Sequence, residues 1–244
     1  MSLPPPLSMP GQAMSHGGFV YMPAFISEAE ETQLLAKIDT APKTRWKQLA
    51  HRRLQMWGGT LTERTGTLIP EPLPPWMTAY PALVERLAAS GAFRESSHQA
   101  PNHCVCTIIL TPKLVNDYFP GQGILPHTDG PAYDPVVATI SLGGHTVLDI
   151  YEHTPDKPTP AQPSFVIVQE PRSLLITYGE AYTRFKHGIA ERVHDTPEDR
   201  VHVLNASHLS GVYADPQATW TRERRVSLTF RDVARVHKGL MLRP

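Results

Sequence analysis

From residue 100 onward, short runs of β-branched and apolar residues alternate with clusters of Gly and Pro. The runs are His103–Leu110, Val136–Leu142, Thr146–Tyr151, Phe165–Gln169, Ser173–Tyr178 and Arg225–Arg231. Pro120-Gly121, Gly143-Gly144 and the Pro-rich stretch 154–163 separate them. Many short strands with turn residues between them, and no intervening helical period, predict a mainly β fold of the sandwich or barrel kind. The first hundred residues read differently. Phe19–Phe25 is strand-like, and Ser27-Glu28-Ala29-Glu30 is a capping box opening a helix through Leu34, Leu35 and Ile38, which Pro42 closes. A second short helix is predicted over Pro81–Ala89, with Pro in its first turn. Residues 1–17 carry no apolar period and are expected to form a disordered arm.

Length and composition narrow this picture. The 244 residues suit one domain, 18–244, with residues 18–100 as an N-terminal extension and 101–236 as the core. With 41% hydrophobic and 19% charged residues, a sizeable core is available and wholesale disorder is excluded. Lys+Arg and Asp+Glu are both 23, which excludes a bulk electrostatic grip on nucleic acid but not a local patch. One such patch is Lys43–Gly59, where Lys43, Arg45, Lys47, Arg52 and Arg53 interleave with Trp46 and Trp57. Two cysteines, without a leader sequence, exclude a disulfide scaffold and point to a reducing compartment. No apolar stretch approaches the roughly 20 residues of a membrane span, so no membrane partner is expected.

Candidate chemistry starts at His127-Thr128-Asp129, where an extended chain would place imidazole and carboxylate on one side. Alone, this is as well read as a polar turn before Gly130-Pro131. His187 late in the chain, beside Gly188, supplies the second imidazole that a two-His, one-carboxylate iron face needs. Read by itself it is an edge-strand histidine. In Arg225–Arg231, positions 225, 227, 229 and 231 share one face, with Val226, Leu228 and Phe230 opposite. Two arginines on a half-buried face need partners, and a dicarboxylate would pair one through a bidentate fork. The alternative is arginine at a solvent edge. Asn116 and Tyr118, just upstream of His127, can hydrogen-bond a carboxylate without adding charge. Cys104 and Cys106 share a strand face but lack further ligands, and His145 and Asp149 read as a structural hydrogen-bonding pair.

Taken in order, Asn116-x-Tyr118, Pro120-Gly121-Gln122-Gly123, His127-x-Asp129, Ile140–Gly143, His187-Gly188 and Arg225-x5-Arg231 resemble the AlkB-like family of Fe(II)/2-oxoglutarate dioxygenases. Leu54-Gln55-x-Trp57-Gly58-Gly59, Leu73–Trp76, Pro101–His103, His145–Asp149 and Glu170–Leu174 extend the likeness over about residues 19–240. The resemblance implies a double-stranded β-helix, an open jelly roll, with N-terminal helices packed outside. It implies that His127, Asp129 and His187 bind Fe(II), and that Asn116, Tyr118 and Arg225 hold 2-oxoglutarate with Arg231 nearby. O2 would be consumed, 2-oxoglutarate would yield succinate and CO2, and a substrate C–H bond would be hydroxylated; a hydroxylated N-methyl group then leaves as formaldehyde.

Lys43–Gly59 stands where the family has its substrate lid, so DNA or RNA is the expected partner there. The competing reading is a solvated loop whose tryptophans pack on the domain. The family's DNA-repair members carry a carboxylate two residues after the ligand Asp; Pro131 stands there in this chain, which argues against direct repair of alkylated bases. Cys104–Lys113 contains a run the family lacks. Deleting Val105–Lys113 is expected to spare iron and 2-oxoglutarate binding and the melting temperature. The expected activity is thus a dioxygenase acting on a nucleic-acid-type substrate, as a monomer in cytoplasm and nucleus. The alternatives are a dioxygenase for a protein or small molecule, and a non-catalytic jelly-roll binding module.

Overall fold

The computed structural model describes residues 14–48, 52–109 and 123–238. Its strands in chain order are β1 (Met14–His16), β2 (Phe19–Met22), β3 (Trp46–Gln48), β4 (Arg53–Trp57), β5 (Gly59–Leu61), β6 (Leu68–Pro70), β7 (His103–Ile109) and β8 (Ile124–His127). There follow β9 (Tyr133–Gly143), β10 (Thr146–Glu152), β11 (Phe165–Gln169), β12 (Leu174–Tyr178), β13 (Phe185–Ile189), β14 (His194–Asp195), β15 (Trp220–Thr221) and β16 (Arg225–Val233). The helices are α1 (Glu28–Asp39), α2 (Pro75–Thr78), α3 (Leu83–Ala89) and α4 (Glu180–Arg184).

The large sheet runs β1-β2-β12-β9-β16-β7-β4-β3 and the small one β11-β10-β13-β8. Strand alternation assigns each face of the large sheet a job. Val226, Leu228 and Phe230 of β16, Cys104, Cys106 and Ile108 of β7, and Ala138, Ile140 and Leu142 of β9 form one cluster with Leu34 and Ile38 of α1 and Leu83 and Leu87 of α3. The helices therefore cover the outer face. On the inner face Phe19, Tyr21 and Leu175 pack against Leu148, Ile150, Ile167 and Ile189 of the small sheet. This is the jelly roll, with the cavity between its sheets.

The capping box at Ser27 forms as the sequence requires: Ser27 Oγ accepts from Glu30 N–H, and Glu30 accepts from Ser27 N–H at 2.7 Å. Three expectations need correction. Met14–His16 is not part of a disordered arm; it pairs with Phe19–Tyr21, and Met14 is buried against the inner-face core. Pro81 is not in the first turn of α3, which starts at Leu83 after Ala82 in a left-handed conformation. Third, Val105–Ile109 continues the strand that begins at His103. It is the interior of β7, paired on one side with β16 and on the other with β4. Deleting it would remove Cys106 and Ile108 from the core, and burying an aliphatic side chain of that size is worth about 1.5–3 kcal/mol. The expectation of an unchanged melting temperature is therefore withdrawn. The second half of that run, with Asn116 and Tyr118, lies outside the described residues.

Candidate active site

His127 ends β8, and His187 lies directly opposite it in β13. The two rings are 4.4 Å apart between centroids. Gly188 lets the strands come this close, since a Cβ there would lie 3.0 Å from the Ile124 carbonyl oxygen. Asp129 follows two residues beyond β8. One ligand atom from each of His127, Asp129 and His187 falls within 4.8 Å of the others.

The protonation states suit a cation. His127 Nδ1 lies 2.9 Å from the Leu125 carbonyl oxygen, which can only accept. That places a ring proton on Nδ1 and makes Nε2 the nitrogen that can meet a cation. Burial pushes His187 down to about 4 despite the pull of Asp129, so its imidazole is neutral. Burial works against the Asp129 charge, but the Arg231 guanidinium outweighs it and holds the carboxyl below its ordinary value. Two imidazoles and one carboxylate on one side of a cation are the donor set of a non-haem Fe(II) site. The residues fit that metal.

A cavity of about 990 Å³ contains this cluster and opens between the sheets. Its floor is the inner face of β7, β16 and β9. Register sets the floor in rows: Thr107–Ser227–Ser141, then Val105–Thr229–Thr139, then His103–Arg231–Val137. Arg225 stands one row further, 4% exposed, donating from Nε to Ser141 Oγ at 2.7 Å and from Nη2 to Gln169 Oε1 at 2.9 Å. No carboxylate of the described residues faces it, and burial with the nearby Arg222 lowers it to about 9. Arg231 differs: it donates from Nη2 to Asp129 Oδ1 at 2.5 Å and lies over the Tyr133 ring.

The mouth is made by residues 61–66 between β5 and β6, by residues 128–134 after β8, and by Arg52, Leu54 and Arg235. Behind the site, Asp195 takes bonds from Arg192 and Arg222 and lies 3.0 Å from His145 Nε2. Arg222 also donates to the Ala190 carbonyl just past β13.

Residues 18–231 match the model of the 2OG-Fe(II) oxygenase superfamily. The chain belongs to that superfamily. A Danio rerio protein named probable RNA/DNA demethylase ALKBH6 is 40% identical over 222 residues, covering 88% of this chain and 86% of the relative. A Macaca fascicularis tRNA (carboxymethyluridine(34)-5-O)-methyltransferase ALKBH8 is 27% identical over 226 residues, 88% of this chain but 30% of that protein. The solved structure of OsALKBH1 aligns with a TM-score of 0.57 at 12% identity, over 91% of this chain and 100% of that one, a likeness of fold. The protein is thus an oxidoreductase of the 2OG-Fe(II) oxygenase type.

In this oxygenase the sequence-expected His127, Asp129, His187, Arg225 and Arg231 all line one cavity. His145 and Asp149 do not join them; they sit in the buried ion network around Asp195 and Arg192. Cys104 and Cys106 are sealed in the outer core without ligating company. Of the Lys43–Gly59 segment, residues 43–48 and 52–59 are described. It contributes the edge strand β3 and its neighbour β4, and Trp46 and Trp57 pack partly buried against the core, as the competing reading expected. Arg53 stacks on Trp46 and Arg45 on Trp57. Among its described residues, Arg52 and Leu54 reach the cavity. The mouth loop at 61–66 went unread, although Thr65-Gly66 is a turn signal between two strands. Pro131 lies at the mouth, at the position where a base-contacting carboxylate was looked for.

Proposed function

We propose that His127, Asp129 and His187 hold Fe(II) and that Arg225 receives the distal carboxylate of 2-oxoglutarate. The observation that carries this reading is the sharing of one cavity by the His127, Asp129, His187 cluster and a buried arginine whose remaining donors find no acid among the described residues. Bound iron would supply the activation of O2 that couples 2-oxoglutarate oxidation to substrate hydroxylation. The protein's own residues do the rest. Arg225 orients the cosubstrate through its guanidinium fork. Arg231 keeps Asp129 ionised and fixes which carboxylate oxygen is free. The apolar wall of Leu148, Ile150 and Leu175 keeps water from the reacting end.

The substrate class is nucleic-acid-type. Arg52, Arg64 and Arg235 line the cavity, and their guanidinium groups make no ion pair or hydrogen bond among the described residues. By contrast Arg45, Arg86, Arg172, Arg192, Arg222 and Arg224 all face acids. Unpaired guanidiniums gathered at one opening suit phosphates. The zebrafish relative's name, a probable RNA/DNA demethylase, supports the same reading. The test is succinate release by purified, iron-loaded protein with and without pools of RNA and DNA. Stimulation by nucleic acid is expected. Stimulation by protein or small-molecule pools alone would move the substrate to those classes.

A further inference from the structure

The cavity has a polar group on β7 that the sequence motifs do not single out. We infer that Thr107 is the β7 residue that hydrogen-bonds 2-oxoglutarate, beside Ser227 and Arg225; this rests on the cavity being the cosubstrate site.

Both edges of β16 are taken, one by β9 and one by β7, and the position beside Ser227 on the β7 side belongs to Thr107. Along β7 the even positions, Cys104, Cys106 and Ile108, face the helices. Val105 and Thr107 face the cavity, and of these only Thr107 can hydrogen-bond. Its hydroxyl makes no hydrogen bond among the described residues, and the residue is only partly covered. Threonine and valine fill a pleated sheet position equally well, so packing alone does not call for the oxygen.

The chemistry of the ligand gives that oxygen a use. A carboxylate offers about four lone-pair sites, and one arginine fork fills two of them. Arg225 already spends Nε on Ser141 and one Nη2 proton on Gln169, so it approaches a carboxylate with what remains. Ser227, two residues along on the same face, and Thr107, across from Ser227 and diagonal to Arg225, are within side-chain reach of the same spot. Neither brings a charge. They add donors where further guanidinium bonds are not on offer.

The experiment is calorimetric titration of 2-oxoglutarate into the full chain loaded with Mn(II), a readout independent of turnover. Thr107→Val should bind roughly 10–150-fold more weakly, the range spanned by one hydrogen bond to a charged acceptor. Thr107→Ser should bind as the parent does, and Thr107→Ala should match Thr107→Val if the valine variant proves unstable. Melting temperatures without cosubstrate should agree between parent and Thr107→Val. A parent that binds while Thr107→Val and Thr107→Ala bind equally tightly would overturn the role of Thr107 alone. A parent that does not bind 2-oxoglutarate at all would overturn the cosubstrate site and the inference with it.

Discussion

Arg231 reaches from the floor strand β16 to Asp129 beyond the end of β8, with its Nη2 2.5 Å from Oδ1. This contact ties the large sheet to the small one at the cation cluster. Both side chains are largely buried, at 12% and 7% exposure. Removing one partner of a buried pair leaves an uncompensated charge, which costs about 3–5 kcal/mol. Arg231→Gln should therefore lower the melting temperature of the metal-free protein markedly. A divalent metal should restore part of the loss, because it supplies a new counter-charge to Asp129. Thermal unfolding with and without Mn(II) checks this; equal melting of variant and parent without metal would refute it.

Changes to the cluster itself should act on metal before anything else. His127→Ala, Asp129→Ala and His187→Ala are each expected to abolish stoichiometric iron and succinate release. Asp129→Glu should fail too, since its longer arm shifts the oxygen away from two imidazoles fixed by strand pairing. Iron content measured after loading and desalting decides. Full iron and full turnover in all four variants would reject the assignment.

Arg225→Lys should raise the 2-oxoglutarate requirement with little effect on iron. An ammonium is a point charge and cannot reproduce a planar fork. Loss of a charge-assisted hydrogen bond is worth about 1.5–3 kcal/mol, or roughly 10–150-fold in affinity. Lysine also cannot bridge Ser141 and Gln169 as the guanidinium does. An unchanged apparent affinity would remove Arg225 from the role.

Asp195 gives the protein a predictable acid limit. Burial opposes its charge, but bonds from His145, Arg222 and Arg192 prevail and hold it well below the usual carboxylate range. A folded pKa below the unfolded value of about 3.9 means stability present above that value and lost as pH falls beneath it. Asp195→Asn should therefore be less stable at neutral pH, by about 3–5 kcal/mol for a broken buried pair. Its stability should also fall less steeply than the parent's below about pH 4, in the window set by that unfolded value. Denaturant melts across pH 2–7 would reveal parallel acid limbs if Asp195 contributes nothing.

What could be read in advance follows the physics of alternation. In β16 the period-two pattern alone separates the cavity row, Arg225 to Arg231, from the core row, Val226, Leu228 and Phe230, and the structure keeps that division. The capping box at Ser27 is equally local and equally legible. Register is not local. Nothing in Cys104-Val105-Cys106-Thr107-Ile108 says whether it adds to a sheet or fills a place in one, because the answer depends on β4 and β16 lying on either side. For the same reason the run was set apart while Thr107 went unnoticed. The tryptophans of β3 and β4 are a third case: aromatic and basic residues interleaved in sequence suggest stacking on bases, yet Trp46 and Trp57 spend their faces on the core and on Arg53 and Arg45.

That last point splits a pair of neighbouring arginines. Arg52 lines the cavity and its guanidinium has no partner among the described residues, whereas Arg53 lies 4.4 Å over the Trp46 ring. If the mouth receives phosphates, Arg52→Ala should weaken nucleic-acid binding and reduce the slope of log affinity against log salt by about 0.7–0.9, the share of one phosphate contact. Cosubstrate decarboxylation without nucleic acid should stay at the parent's rate, because Arg52 makes no bond to the cation cluster or to Arg225. Arg53→Ala should do the reverse: leave the salt slope alone and loosen β3 against β4, at a cost of about 0.5–2 kcal/mol for a cation–π contact. Filter binding of a single-stranded RNA across a salt series, run beside thermal melts, separates the two. A salt slope that falls equally in both variants would mean that Arg53 also leaves its tryptophan to meet the ligand. A slope that falls in neither would take phosphate recognition away from this segment and leave it to Arg64 and Arg235, which line the same cavity.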